Sequence, residues 1–285
     1  MGDSHVFTTV KPLQKRLHKE LENSTIGFFP TMGALHHGHI ELVKQAKKEN
    51  DVVVVSIFVN PTQFNNPDDL EKYPRMLDKD LELLDEVGDV IVFAPDVKTV
   101  YPDNYENLKI DLGKLGETME GEFRPGHFDG VMNVVKRFFD IVKPTRAYFG
   151  MKDFQQVAVI KHLVKVTNDP VEIVVCDIVR EESGLASSSR NVRLTEEQKE
   201  EALIIIETLR FLKSIVDQYP PQKAWKKAKQ FFRKGTLELE YLEIIHPLTL
   251  KRLEKWTPGA HACIVAYAGE VRLLDNIQLI PFEEK

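Results

Sequence analysis

A chain of 285 residues, 42% hydrophobic and 29% charged, can bury a sizeable core without disulfides, which excludes a stapled miniature scaffold and a disordered or collagenous polymer. Thirty-eight basic against 44 acidic side chains leave a net charge of -6, which speaks against sequence-blind nucleic-acid binding and points to a small ligand. Cys176 and Cys263 lie far apart, no window supplies the roughly 18 apolar residues of a membrane span, and Met1 to Thr9 show no leader pattern, so a reducing, cytoplasmic setting is expected.

From Thr25 to about Ile178, short apolar runs alternate with amphipathic stretches, the pattern of a parallel sheet covered by crossover helices. The runs predict strands at Ile26 to Pro30, Val52 to Val59, Val90 to Ala94, Ala147 to Phe149 and Val171 to Asp177. Helices are predicted at His39 to Asn50, Asp78 to Val87, Phe128 to Val142 and Asp153 to Thr167; Val131, Val134, Val135, Phe138 and Ile141 share one helical face. Tyr101 to Pro125, broken by Pro and Gly, reads as an irregular excursion with a short strand at Leu108 to Asp111. After Asn191 come two helical stretches, Thr195 to Gln218 and Gln222 to Arg233, separated by Pro220 and Pro221. Strands follow at Glu238 to Ile245, Cys263 to Ala268 and Glu270 to Leu279. Grouped elements of this kind predict a smaller C-terminal α+β domain behind a Rossmann-like α/β domain, with residues 1–180 in the first and 181–285 in the second. No internal repeat or low-complexity segment interrupts the chain.

Chemistry concentrates where strands end. Ile26 to Pro30 runs into Thr31, Met32, Gly33, Ala34, Leu35, His36, His37, Gly38 and His39, a strand, loop and helix start of the kind that binds ligands in α/β sheets. His36 and His39 are three apart, so both imidazoles can face one phosphoryl group, and the helix N-terminus adds N–H donors and positive potential. A zinc reading is weaker, because no third ligand is evident. The next strand ends in Asn60 and Gln63, whose neutral amides can hold a hydroxy acid without locking its carboxylate in an ion pair. Lys152 stands between a strand and a helix, suited to β and γ phosphates; Asp153 is equally a helix cap, and Gln156 lies one turn further on. Arg180 to Arg193 carries three successive hydroxyls before Arg190, a flexible donor-rich loop or an interdomain linker.

Five segments, PTMGALHHGH, FVNPTQF, RPGHFDGV, YFGMKDFQQ and GLASSSRN, resemble in order and spacing the signatures of the pantoate–β-alanine ligase family. The first alone also resembles the HxGH signature of nucleotidyltransferases and class I aminoacyl-tRNA synthetases, which leaves open a nucleotidyltransferase that retains AMP on its product, or a nucleotide-binding module without turnover. The family resemblance implies a Rossmann-like ATP domain with a C-terminal lid, Mg2+ accompanying ATP, and a homodimer. It implies ATP-dependent joining of pantoate to β-alanine through a pantoyl adenylate, with pyrophosphate and then AMP released. By motif position, His36, His39, Lys152 and Arg190 are expected to carry catalysis. Met32, Gly38, Gly150, Lys152, Asp153, Val179, Ser187, Ser188, Ser189 and Arg190 are expected around ATP. Met32, Asn60, Gln63 and Gln156 are expected around pantoate, Arg124 and His127 near the second substrate, and Asp80 beside magnesium. The chain departs from the family pattern at Ser183, where aspartate is usual, and at Asn133 and Arg137, usually threonine and lysine.

Overall fold

The computed structural model describes residues 6–20 and 22–282, so the first five residues of the stretch searched for a leader lie outside it. Two compact units emerge. One takes in the described chain up to Gly116, Glu120–Met151 and Gln155–Asp177; the other takes in Glu117–Met119, Lys152–Phe154 and the described chain from Ile178 on. The break expected after residue 180 falls instead at Asp177/Ile178, and two short segments of earlier sequence join the second unit.

The first unit is built on parallel strands β1 (Val6–Phe7), β2 (Ile26–Thr31), β3 (Val52–Ile57), β4 (Ile91–Phe93), β5 (Arg146–Gly150) and β6 (Glu172–Cys176), in the order β1-β4-β3-β2-β5-β6. Its helices are α1 (Val10–Lys15), α2 (His37–Glu49), α3 (Pro67–Glu71), α4 (Leu77–Asp85), α5 (Val97–Val100), α6 (Glu120–Phe123), α7 (His127–Val142) and α8 (Phe154–Thr167). The chain winds outward from β2 through β3 to β4, then returns to β2's other side to lay down β5 and β6. That reversal makes the carboxyl ends of β2 and β5 the switch point where such sheets hold ligands.

Pro30 opens that crevice. The carbonyls of Thr25 and Thr31 accept from β3 or the residue after it, whereas the carbonyl of Ile26 accepts from Thr145, so even-numbered residues of β2 face β5. Pro30 faces β5 too and has no N–H to offer. β2 pairs with β5 only through Gly27 and Phe28, while on the β3 side its pairing continues to Thr31.

The core is held from above the sheet by α7. Phe138 meets Phe28 of β2, Phe58 just beyond β3 and Phe93 of β4 edge-on, with ring centroids 5.9, 5.9 and 6.0 Å apart. These positions descend from the apolar face anticipated on this helix. The strand expected at Leu108 to Asp111 is absent, for a local reason. The Asn133 amide substitutes for a neighbouring strand, accepting from the Leu108 N–H at 2.7 Å and donating to its carbonyl at 3.3 Å. Strand β1 and helices α1, α3, α5 and α6 were not anticipated; β1 is two residues long and four of the helices span six or fewer.

In the second unit, β7 (Glu238–Ile245), β8 (His261–Ala268) and β9 (Val271–Gln278) form an antiparallel sheet in that order, covered by α9 (Glu196–Ser214) and α10 (Pro221–Phe232). Thr195 and Gln198 cap α9 reciprocally, and Pro221 starts α10 where a missing N–H costs nothing. Ala224, Ala228 and Phe232 pack with Leu209, Leu212 and Ile264 in a core of this unit's own.

The segment expected to be a flexible loop is a pinned hairpin. Arg180 bridges Ala186, Gly184 takes the turn at φ +97°, and the Ser183 hydroxyl accepts from the Leu185 N–H, a role an aspartate could also fill. Arg180 grips Asp275 of β9 through both guanidinium nitrogens at 2.6 and 2.9 Å, and Asn191 donates to Glu181 and to the Ala186 carbonyl.

Candidate active site

In the first unit, β2 delivers the chain to a tight loop before α2. Gly33 and Ala34 adopt successive left-handed conformations at φ +77° and +50°, and the Gly33 N–H is held by the Thr31 hydroxyl at 2.7 Å. Beyond them the backbone of His36 is extended and caps α2 without a side-chain bond, leaving its imidazole beside that of His39. The two rings stack with centroids 3.8 Å apart, half-buried at a helix N-terminus, while His37 between them is exposed and reaches toward Glu41. Buried Gly38 brings the helix backbone to the same spot. The arrangement offers imidazole donors and a positive helix end to one anionic group.

The second cluster lies where β3 ends. Gln63 points its Nε2 at the Met32 sulfur, 3.1 Å away, joining the two residues expected in the acid pocket. Asn60, expected there as well, commits its amide to protein partners. Its Nδ2 donates to Gln63 Oε1 and to the Gly130 carbonyl, both at 3.1 Å, and its Oδ1 accepts from the hydroxyls of Tyr101 at 3.0 Å and Thr62 at 2.9 Å. Asn60 therefore orients Gln63. His127, at the start of α7, stands 2.7 Å from the Gln63 carbonyl through Nδ1 and 3.1 Å from Arg124 Nη1 through Nε2, which fits a neutral ring with its proton on Nδ1. Arg124 also pairs with Glu120. A β-carbon on Gly130 would strike the Thr62 carbonyl and come within 2.6 Å of the Gln63 N–H, so this approach demands glycine. Sequence reasoning missed Tyr101 and Gly130 here. It also missed Gln155, which fastens α8 by accepting from the Glu120 N–H and donating to the Leu115 carbonyl. Gln156, the residue that was anticipated, is half-buried, and Gly150 ends β5 with open space over its α-carbon.

The remaining candidates belong to the second unit. The Lys152 carbonyl accepts from the Asn276 amide at 2.8 Å, and its ammonium lies 3.4 Å from Asp153, whose carboxylate makes no helix cap. The neighbouring Phe154 ring stacks on His261 with centroids 4.2 Å apart. Ser187 bonds through its N–H to the Val179 carbonyl, and the Ser188 hydroxyl caps a turn of 3-10 helix, Ser189–Arg193, by accepting from the Arg190 N–H. Lys152 and the Ser187–Arg190 turn are thus each fixed within a single unit, with the Arg180–Asp275 pair behind the turn.

Asp80 was expected beside magnesium, and its surroundings do not fit. The residue is 1% exposed, with one oxygen accepting from the Ala34 N–H at 3.0 Å and the other from the Leu35 N–H at 2.7 Å. Burial pushes its carboxyl above the ordinary 3.8, against the pull of those two amides. Among the described residues no group of three or more His, Cys, Asp or Glu side chains is gathered to hold a metal ion. No described helix is long and apolar enough to cross a membrane.

Comparison with known proteins matches this geometry across nearly the whole chain. Pantothenate synthetase of Phocaeicola vulgatus is 50% identical over 275 residues, covering 95% of this chain and 97% of the relative. The enzyme of the same name from Cytophaga hutchinsonii is 47% identical over 282 residues, covering 96% and 99%. The crystal structure of pantoate-β-alanine ligase from Thermus thermophilus superposes with a TM-score of 0.92 at 41% identity, covering 97% of this chain and 99% of that one. The Francisella tularensis ligase, solved with β-γ ATP and β-alanine, gives 0.76 at 37% identity, covering 96% and 97%. Residues 5–278 match the family described as pantoate-beta-alanine ligase, and the stacked histidines, the oriented glutamine and the parallel sheet that presents them are those of a ligase: the chain belongs to that family.

Proposed function

We propose that this chain condenses pantoate with β-alanine in two steps that share one ATP. In the first, a pantoate carboxylate oxygen attacks the α-phosphorus, the bond to the β-phosphate oxygen breaks, and pyrophosphate leaves. In the second, the β-alanine amine attacks the acyl carbon of the adenylate, AMP departs and the amine gives up a proton. The observation that carries this reading is the stacked pair His36 and His39 at the N-terminus of α2. Two donors and a helix end aimed at one point stabilise charge that grows on a five-coordinate phosphorus.

Gln63, with its carbonyl oxygen held by Asn60, presents an N–H to pantoate from beside Met32, and Gln156 supplies the second amide. Neutral amides leave the carboxylate nucleophilic, as an arginine would not. Gly38, Gly150, Asp153, Val179 and Ser187 to Ser189 belong to the ATP site in this reading, and Lys152 and Arg190 carry the charge of the departing pyrophosphate. Arg124, steadied by His127, takes the β-alanine carboxylate. Magnesium arrives with ATP as part of the substrate, and the enzyme is a cytoplasmic homodimer.

The test is exchange of labelled pyrophosphate into ATP. Exchange that needs pantoate and proceeds without β-alanine supports the adenylate, and equal exchange with pantoate omitted refutes it.

A further inference from the structure

We propose that Asp80 is the positioning residue of the histidine loop: by holding the Ala34 and Leu35 amides it fixes where His36 and His39 stand, and it binds no metal. The inference rests on the reading of those histidines as donors to the α-phosphate.

Gly33 and Ala34 both occupy the left-handed region, and Ala34 does so at a steric cost that glycine avoids. Successive residues in such turns direct their amides into a common concavity that attracts an anion. Here the amides of Ala34 and Leu35 converge on the chain's own carboxylate, one on each oxygen. Asp80 rises from the first turn of α4, whose backbone is tied to Met76, and among the described residues no basic side chain pairs with it. Burying an ionised carboxylate without a cation is expensive, and two amide donors are what offset it. The packing on the other side is as tight: a β-carbon at Gly33 would lie 2.9 Å from Asp80 Oδ2 and 3.0 Å from Ile57. Leu35 is adjacent to His36, so a shift of its amide displaces the imidazole pair directly. The carboxylate also fills the anion cradle of the loop, which leaves the N-terminus of α2, one turn on, as the place for the substrate's phosphate.

Two variants approach this contact from opposite sides. Asp80→Asn replaces one acceptor oxygen with a donor, and Gly33→Ala pushes the carboxylate away without altering its charge. Each is expected to lower kcat for pantoate-dependent pyrophosphate exchange at least tenfold, with KM for MgATP and half-saturating Mg2+ within twofold of the parent. In parallel, hydrogen exchange at the amides of Ala34 and Leu35 should speed up at least tenfold in both variants while α7 stays protected. A several-fold rise in the Mg2+ requirement with those amides still protected would make Asp80 a metal residue. Lost protection with undiminished kcat would remove its link to catalysis. Should either variant fail to fold, the unaltered protein still decides: fast exchange at Ala34 and Leu35 in the native state overturns the tether. Absence of pantoate-dependent exchange in the unaltered enzyme would instead sink the assigned reaction and leave the tether standing.

Discussion

Removing either imidazole of the stacked pair should reduce rate far more than stability, since both rings are half-buried at a polar helix start and neither fills the core. His36→Ala and His39→Ala are expected to lower kcat by about a hundredfold or more, on the order of 3 kcal/mol in transition-state stabilisation, with unchanged melting. Single-turnover adenylation alongside thermal unfolding checks this, and normal turnover by a folded variant would contradict it. The two amides beyond β3 should separate differently. Gln63→Ala should raise KM for pantoate and spare ATP affinity, whereas Asn60→Asp should also destabilise the fold by about 2 kcal/mol. The aspartate would set an oxygen against the Gly130 carbonyl and Gln63 Oε1, leaving acceptors unpaired in a buried site. This distinction was not legible in the sequence. Asn60 and Gln63 read there as equivalent amides at a strand exit, because the groups that occupy Asn60 come from Tyr101 and Gly130, 41 and 70 positions away.

Elements that carry a period of 3.6 or an unbroken apolar run were legible, and α7 shows why. Its face of Val131, Val134, Val135 and Phe138 encodes burial directly, and the three edge-on ring contacts of Phe138 follow once β2, β3 and β4 are adjacent. Phe138→Ala should therefore cost about 3 to 5 kcal/mol, read as a shift in the denaturant midpoint with little change in slope. A loss below about 1 kcal/mol would mean that the cluster collapses around the gap. The excursion after Tyr101 was misread because its partner is not a strand. Leu108 to Asp111 has a strand's composition, but Asn133 answers the Leu108 backbone from a helix and ends the pairing after one residue. The hairpin after Val179 was misread for a related reason: serine, glycine and charge look like a linker until Arg180 finds Asp275, 95 residues later.

At the scale of the whole molecule, each unit has its own apolar core, and the second holds both tryptophans, Trp225 and Trp256. Tryptophan emission therefore reports the second unit alone. That unit also buries His261, whose Nε2 lies 2.8 Å from Asn276 Oδ1 and whose ring stacks on Phe154. Burial pulls the His261 pKa below the ordinary 6.5, the Asn276 bond and Lys213 acting as smaller influences in opposite directions. The unfolded chain consequently binds a proton that the folded unit refuses. Stability from this group is complete above about pH 6.5 and is lost as pH falls from there toward the depressed folded value, with a slope of at most about 1.4 kcal/mol per pH unit. Urea unfolding followed by tryptophan emission between pH 8 and pH 5 should show that loss on the acid side. In His261→Gln, which keeps an amide donor for Asn276 and cannot titrate, the corresponding part of the slope should vanish. An unaltered slope in the variant would place the acid sensitivity on other groups, and a midpoint already lowered at pH 8 would measure what the ring contributes through packing on Phe154.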